Sequence, residues 1–279
     1  MKNLFSKDRR RQAVSVIFAF ILSLCVFFIT LGCGCIYACT NDFVLQSIDT
    51  SGYATKAVAE LTSQLNDLAI PSGLPHDYFD GKFNPADIKS DLLSSCRNIL
   101  EGKEANINIS KVEAEILGWV TDYSTETAGE ISSETVNELT LFSQECAAVY
   151  LKFINPPLLN LLLPLFKTVT KYAFIAAVSG LIVSAFCLIF IFKINSAHSG
   201  RKFCFAALLG GALTCGVIPC VLIARDELSR IAITSPSLHS LVTGYGYDFL
   251  PVLIVSASIA AVFGIIILGF QIKDLIFKR

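Results

Sequence analysis

The sequence predicts an all-α fold: a four-helix transmembrane bundle with an extracytoplasmic helical-bundle domain inserted between spans one and two. Three observations predict it. Only 16% of the 279 residues are charged, against about 25% in soluble chains, while 53% are hydrophobic and mean hydropathy is +0.62. Four stretches without Asp, Glu, Lys, Arg or His, at 13–36, 172–192, 203–224 and 249–271, each reach the ~20 residues that cross a bilayer. The remaining charge is segregated, and that segregation sets the topology.

The pieces 1–12, 193–202 and 272–279 carry eleven Lys/Arg against only Asp8 and Asp274. Basic residues stay on the cytoplasmic side, so these are two cytoplasmic tails and a cytoplasmic loop. Both termini are then inside, and the expected location is the plasma membrane, multi-pass. Residues 41–165 and 225–248 fall outside. The first of these holds eighteen Asp/Glu against seven Lys/Arg, an acidic domain.

The first span ends in "ITLGCGCIYACT" (29–40). Three readings compete for Cys33, Cys35 and Cys39. The apolar run is longer than a signal peptide's ~7–15 residues, and the residues before Cys33 match a lipoprotein signal only with Leu31 displaced by one. A metal clip fits poorly, because Cys33 and Cys35 lie about 200° apart on a helix and no histidine is near in sequence. The third reading takes Gly and Cys as small residues that let helices approach closely. Small residues also recur in all four spans: Ser15, Ala19 and Ser23; Ala176, Gly180 and Ser184; Gly210 and Gly211; Ala260 and Gly264. Such stripes predict tight helix packing, and a leftover stripe would support a homo-oligomer.

The external domain reads as helix throughout. Apolar residues from Val44 to Leu68 predict one helix over 41–69, which could continue from the first span. "IPSGLP" (70–75) stops it. A second helix starts at Asn84 with Pro85 in its first turn. A third starts at Ser110, with Glu113 completing a capping box. A fourth covers 132–154. The following "YLKFINPPLLNLLLPLF" (150–166) holds three prolines, one lysine and two asparagines, and is expected as a broken amphipathic segment on the outer membrane face. Loop 225–248 places Tyr245 and Tyr247 as interfacial anchors.

Candidate sites are few. Cys96 and Cys146 lie inside the external domain, where they could form a disulfide or pack as thiols on apolar helix faces. "HDYFDGKFNPAD" (76–87) brings His76, Asp77 and Asp80 into one loop as weak metal candidates, without the alternation of a calcium loop. With His239 and Asp226 they are also the only candidates for catalytic groups at the outer face. Glu134, Glu138, Glu145, Asp122, Glu126 and Glu130 read as a solvated face. "NIS" (108–110) fits a glycosylation sequon. No Gly-rich phosphate loop, HExxH or GxSxG occurs, so no cofactor, no bound metal and no catalysis are expected, and no nucleic-acid partner. The spans lack the ionisable groups of ion-coupled transporters.

"SGY" (51–53), "PSGLP" (71–75) and "ILEGKEANIN" (99–108) resemble stretches of four-span membrane proteins of Gram-positive bacteria, a resemblance that implies layout and no activity. The order of a large first and a small second external loop is also similar to the cell-division permease family FtsX. That likeness implies a coupling helix between spans two and three, where this chain has only "KINSAHSGRK" (193–202). The sequence therefore points to a non-enzymatic membrane protein, in contact with the lipid bilayer, whose external domain binds a protein partner in the cell envelope. The alternative is a membrane subunit of a transport or export complex.

Overall fold

The computed structural model describes residues 2–103, 108–129 and 132–276. Part of "ILEGKEANIN", the acid Glu130 and the last three residues lie outside them. Every regular element among the described residues is helical: α1 (Lys2–Ala38), α2 (Asn41–Thr50), α3 (Tyr53–Ala69), α4 (Pro85–Glu101), α5 (Ile109–Ala128), α6 (Ser133–Ile154), α7 (Pro157–Ile194), α8 (Ala197–Ala224) and α9 (Pro236–Ile276). The chain divides into two units. One comprises Met1–Phe43, Lys167–Arg230 and Gly246–Arg279, the other Val44–Phe166 and Ile231–Tyr245.

The first unit contains most of the long apolar helices. Four helical stretches are long and apolar enough to span: Arg10–Ala38, Ser199–Ala224, Pro236–Phe270 and part of Ser133–Ile194, where α7 carries the uncharged run 172–192. Large apolar side chains such as Phe20, Leu181 and Phe263 point outward. Helices apolar on every face suit a solvent of hydrocarbon. Inside, Leu22 of α1, Cys187 and Ile191 of α7, and Cys204 and Ala207 of α8 form one buried cluster. Cys215 of α8 with Leu253 and Ala257 of α9 form another.

Glycines set how closely these helices approach. A Cβ on Gly211 would lie 2.7 Å from the Ser23 carbonyl oxygen and 2.8 Å from Val26 Cβ. One on Gly180 would meet Ile29 at 3.1 Å, and one on Gly32 would meet the Ala173 carbonyl oxygen at 3.0 Å. Within "ITLGCGCIYACT", then, Gly32 and Gly34 are what α7 and α9 press against, Gly34 facing Leu253. Cys33 is exposed, and all ten cysteines are free thiols.

The second unit buries the predicted stripes against one another. Its core includes Tyr53, Leu61 and Leu65 of α3, Ile88 and Leu92 of α4, Ile116 and Val120 of α5, and Phe142 and Phe153 of α6. Tyr53 donates its hydroxyl to the Phe153 carbonyl at 2.7 Å, satisfying the polar end of a buried ring. Cys96 and Cys146 sit in this core as buried free thiols.

Five boundaries differ from expectation. The 41–69 helix is two helices, because Gly52 adopts a left-handed φ of 70° and Ser51 turns its hydroxyl onto the Ile48 carbonyl while accepting the Tyr53 N–H. Nor does it continue α1: Thr40 interrupts the chain, its hydroxyl accepting the Phe43 N–H. The third helix begins at Ile109, so Ser110 lies inside its first turn and caps nothing, while Asn108 holds the cap position without a side-chain bond. The segment 150–166 breaks only at Asn155–Pro156. From Pro157 it runs as one 38-residue helix through Pro164 into the second span. Proline fits a first helical turn, and one interior proline costs a hydrogen bond without ending a helix held by packing, here by buried Leu159 and Leu163. Finally, most of loop 225–248 is helical, as the start of α9. Tyr245, half-buried, stacks on Phe166 at the edge of the second unit's core.

The segment Ile231–Tyr245 is held to α3 by one carboxylate. Glu60 accepts the Ser237 N–H at 2.7 Å and the hydroxyls of Ser235 and Ser237 at 2.8 and 3.0 Å. An acid at the first turn of α9 satisfies an orphan N–H and complements the helix dipole.

Candidate functional site

The loop between α3 and α4 carries three of the candidate site residues, His76, Asp77 and Asp80. Gly81, at φ 73°, makes the turn, and Asn84 ends it by accepting the Ala86 N–H at 3.0 Å, as the sequence predicts for a cap. What fixes the loop's position is Asn66 on α3. Its Oδ1 accepts the N–H of fully buried Phe79 at 3.0 Å, and its Nδ2 donates to Asp80 Oδ1 at 2.8 Å. Asn66 is itself buried. We expect Asn66→Ala to cost roughly 1–3 kcal/mol, the penalty of leaving a buried N–H unpaired. Urea unfolding of the two proteins in the same detergent measures it, and equal midpoints would show that Asn66 does not hold the loop.

This anchoring opens a cleft of about 540 Å³ lined by Thr62, Ser63, Asn66, Asp67, His76 and Asp80, with Ala59 and Gly81. Of the five candidate catalytic or metal-binding residues, only His76 and Asp80 line it. Asp77 is exposed and outside the lining. His239 lies in the first turn of α9, where its carbonyl accepts the Thr243 hydroxyl. Asp226 belongs to the other unit, at a positive φ of 52°, and its carboxylate accepts the hydroxyls of Ser229 and Tyr247. No group of three His, Cys, Asp or Glu is placed to hold a metal ion among the described residues. The cleft offers two carboxylates, two hydroxyls and an imidazole, a set that hydrogen-bonds a small polar or cationic group.

The same loop carries an aromatic cluster. Tyr78 packs edge-on to Tyr123, and Phe83 edge-on to Trp119, the only tryptophan. The Lys82 ammonium sits 3.9 Å from the Tyr78 ring centroid and 5.3 Å from that of Trp119. Burial pushes the Lys82 pKa down, with Asp122 opposing. Tyr78 is pushed up to about 12, by burial first and then by the charges of Asp122, Tyr123 and Glu126. Its hydroxyl donates to the Trp119 carbonyl at 2.5 Å, tying the loop to α5. A separate cavity of about 260 Å³ in this unit is lined almost wholly by apolar side chains, among them Val44, Ile48, Leu162 and Phe166.

The small-residue stripes are realised unevenly. Ser23 meets Gly210 and Gly211, Gly180 meets Ile29, and Gly264 meets Leu208. Ser15 is fully buried and hydrogen-bonded to Asn195, and Ala19 packs on the α1–α7–α8 cluster. Ser184 returns its hydroxyl to the Leu181 carbonyl of its own helix. Ala176 and Ala260 are half-buried. No family model, curated protein or solved structure matches the chain.

Proposed function

We propose that this chain is a plasma-membrane protein with both termini in the cytoplasm, whose acidic second unit stands outside the membrane and binds a partner there without catalysing a reaction. The observation that carries the reading is charge segregation. Eleven basic residues flank one side of four uncharged spans, and an excess of eleven acids lies in 41–165 between the first two. The cleft with Asp67 and Asp80 supports a partner presenting a basic group, because complementary charge steers and orients association.

Topology is tested first. Single cysteines at Lys103 and Ser196, in a chain otherwise free of cysteine, are treated with a membrane-impermeant maleimide on intact cells. The reading expects Lys103→Cys to react and Ser196→Cys to react only after permeabilisation. The opposite pattern would place the acidic unit in the cytoplasm. Crosslinking from the external unit in intact cells then tests the partner, and an ATPase recovered in equal amounts would favour the transport-subunit reading instead.

A further inference from the structure

Unit one holds a cavity of about 680 Å³ at the end of α1 that carries Arg11 and at the junction of α7 and α8. Its polar wall comprises Arg11, Gln12, Asn195, Ser196, Ser199 and Lys202, and among the described residues no acid lines it. Arg11 and Lys202 are both exposed. The rest of the lining is apolar: Val16, Ile194, Phe203 and Ala206. On α1, Val16 lies five residues deeper into the span than Arg11, about 7.5 Å of helix rise. On α8, Ala206 lies one turn deeper than Lys202. The cavity is therefore cationic at the helix ends and apolar toward the span.

Its walls are fixed by a small buried network. Asn195 Nδ2 donates to Ser15 Oγ at 2.7 Å and to the Ile191 carbonyl at 2.9 Å. Ser15, fully buried, donates in turn to the Arg11 carbonyl at 2.8 Å. This ties the end of α7 to the turn of α1 that carries Arg11. Gly200 packs so closely on Phe192 that a Cβ would lie 2.9 Å from the ring. Lys202 is thus presented from the second turn of α8, just past a tightly seated first turn.

We propose that this cavity binds an anionic phospholipid. The phosphate lies between Arg11 and Lys202, with the Ser196 and Ser199 hydroxyls as further donors, and the first acyl methylenes lie along Val16, Phe203 and Ala206. Basic pockets between membrane helices bind such headgroups by charge, and the apolar depth distinguishes a lipid from a free anion. The assignment does not depend on which side of the membrane the second unit occupies.

The test uses the full chain, freed of phospholipid in a maltoside detergent and titrated by native mass spectrometry. Phosphatidylglycerol is expected to bind at least tenfold more tightly than phosphatidylcholine. Arg11→Gln and Lys202→Gln each weaken it about fivefold, the effect of one basic side chain at an anionic lipid surface. Arg11→Lys and Lys202→Arg retain binding. Arg10→Gln, a neighbour outside the lining, leaves it unchanged, which separates a site from a diffuse basic end. Equal binding of the two lipids overturns the proposal. So do Gln variants that bind like the parent, a loss on Arg10→Gln equal to that on Arg11→Gln, or inorganic phosphate that displaces the lipid at equal concentration.

Discussion

Gly211→Val is expected to lower the stability of the membrane bundle by roughly 3 kcal/mol or more, the upper end of overpacking costs. The first added carbon alone would sit 2.7 Å from the Ser23 carbonyl oxygen and 2.8 Å from Val26 Cβ. Neither is the far end of a flexible side chain, so α1 and α8 must separate. Separation then opens the cluster of Leu22, Cys204 and Ala207, whose dispersion contacts hold these helices together in a medium with no hydrophobic driving force between them. Gly264→Ala is the control. Its Cβ would stand 3.4 Å from Leu208 Cβ, an ordinary contact, and alanine is favoured over glycine in a helix by about 0.5–1 kcal/mol. Thermal unfolding in detergent should show a clear fall for Gly211→Val and no fall for Gly264→Ala. Equal effects would mean that the approach at Gly211 does not set the packing of α1 on α8.

That contrast also shows what small residues in a sequence can and cannot say. Gly210, Gly211 and Gly264 belong to stripes of the same spacing, yet only Gly211 faces a neighbour so close that a side chain is excluded, while at Gly210 the Ser23 hydroxyl at 3.0 Å would have to give slightly. Spacing gives the face of a helix but not the distance to the next one. The spans themselves were legible because apolar length and the absence of charge are local properties. The cap at Asn84 was legible for the same reason, whereas Ser132, read only as the start of the fourth helix, in fact caps it by accepting the Thr135 N–H. The break at Gly52 was not, since glycine inside an apolar repeat reads equally as a tolerated interruption. The helical start of α9 escaped because Glu60, which satisfies its first N–H, lies far away in sequence.

The loop site divides along the same line. His76 and Asp80 could be read as neighbours because they share a turn. Asn66, which holds that turn in place, shows only as a polar residue beside the Leu61–Leu65–Ala69 stripe of α3. The one sequence signal for it is a buried position occupied by a side chain with both a donor and an acceptor. Lys82 over Tyr78 and Trp119 joins two elements that only tertiary packing brings together.

The second unit is expected to weaken sharply above pH 9, because burial in its core raises the Cys146 thiol to about 12 and acts in the same way on Cys96. Its thiol is 1% exposed in the core, and burial raises its pKa from 9.0 to about 12. An acid whose folded pKa lies above its unfolded value stays protonated in the fold while the unfolded chain ionises. The stability this represents is intact below pH 9 and is lost as pH climbs toward 12, at about 1.4 kcal/mol per unit. By pH 10.5 the loss from this one thiol is about 2 kcal/mol, a large share of a marginal stability. Tyr78, raised from 10.0 to about 12, adds in the same direction above pH 10. Urea midpoints at pH 8, 9 and 10.5, followed by the fluorescence of Trp119, should fall between the last two. Cys96→Ala should start lower, because it leaves a small cavity, but should lose less on passing from pH 9 to 10.5. A variant as alkali-sensitive as the parent would mean that the thiol is not what resists ionisation, and that it lies closer to water than its place among Leu61, Leu92 and Ile116 implies.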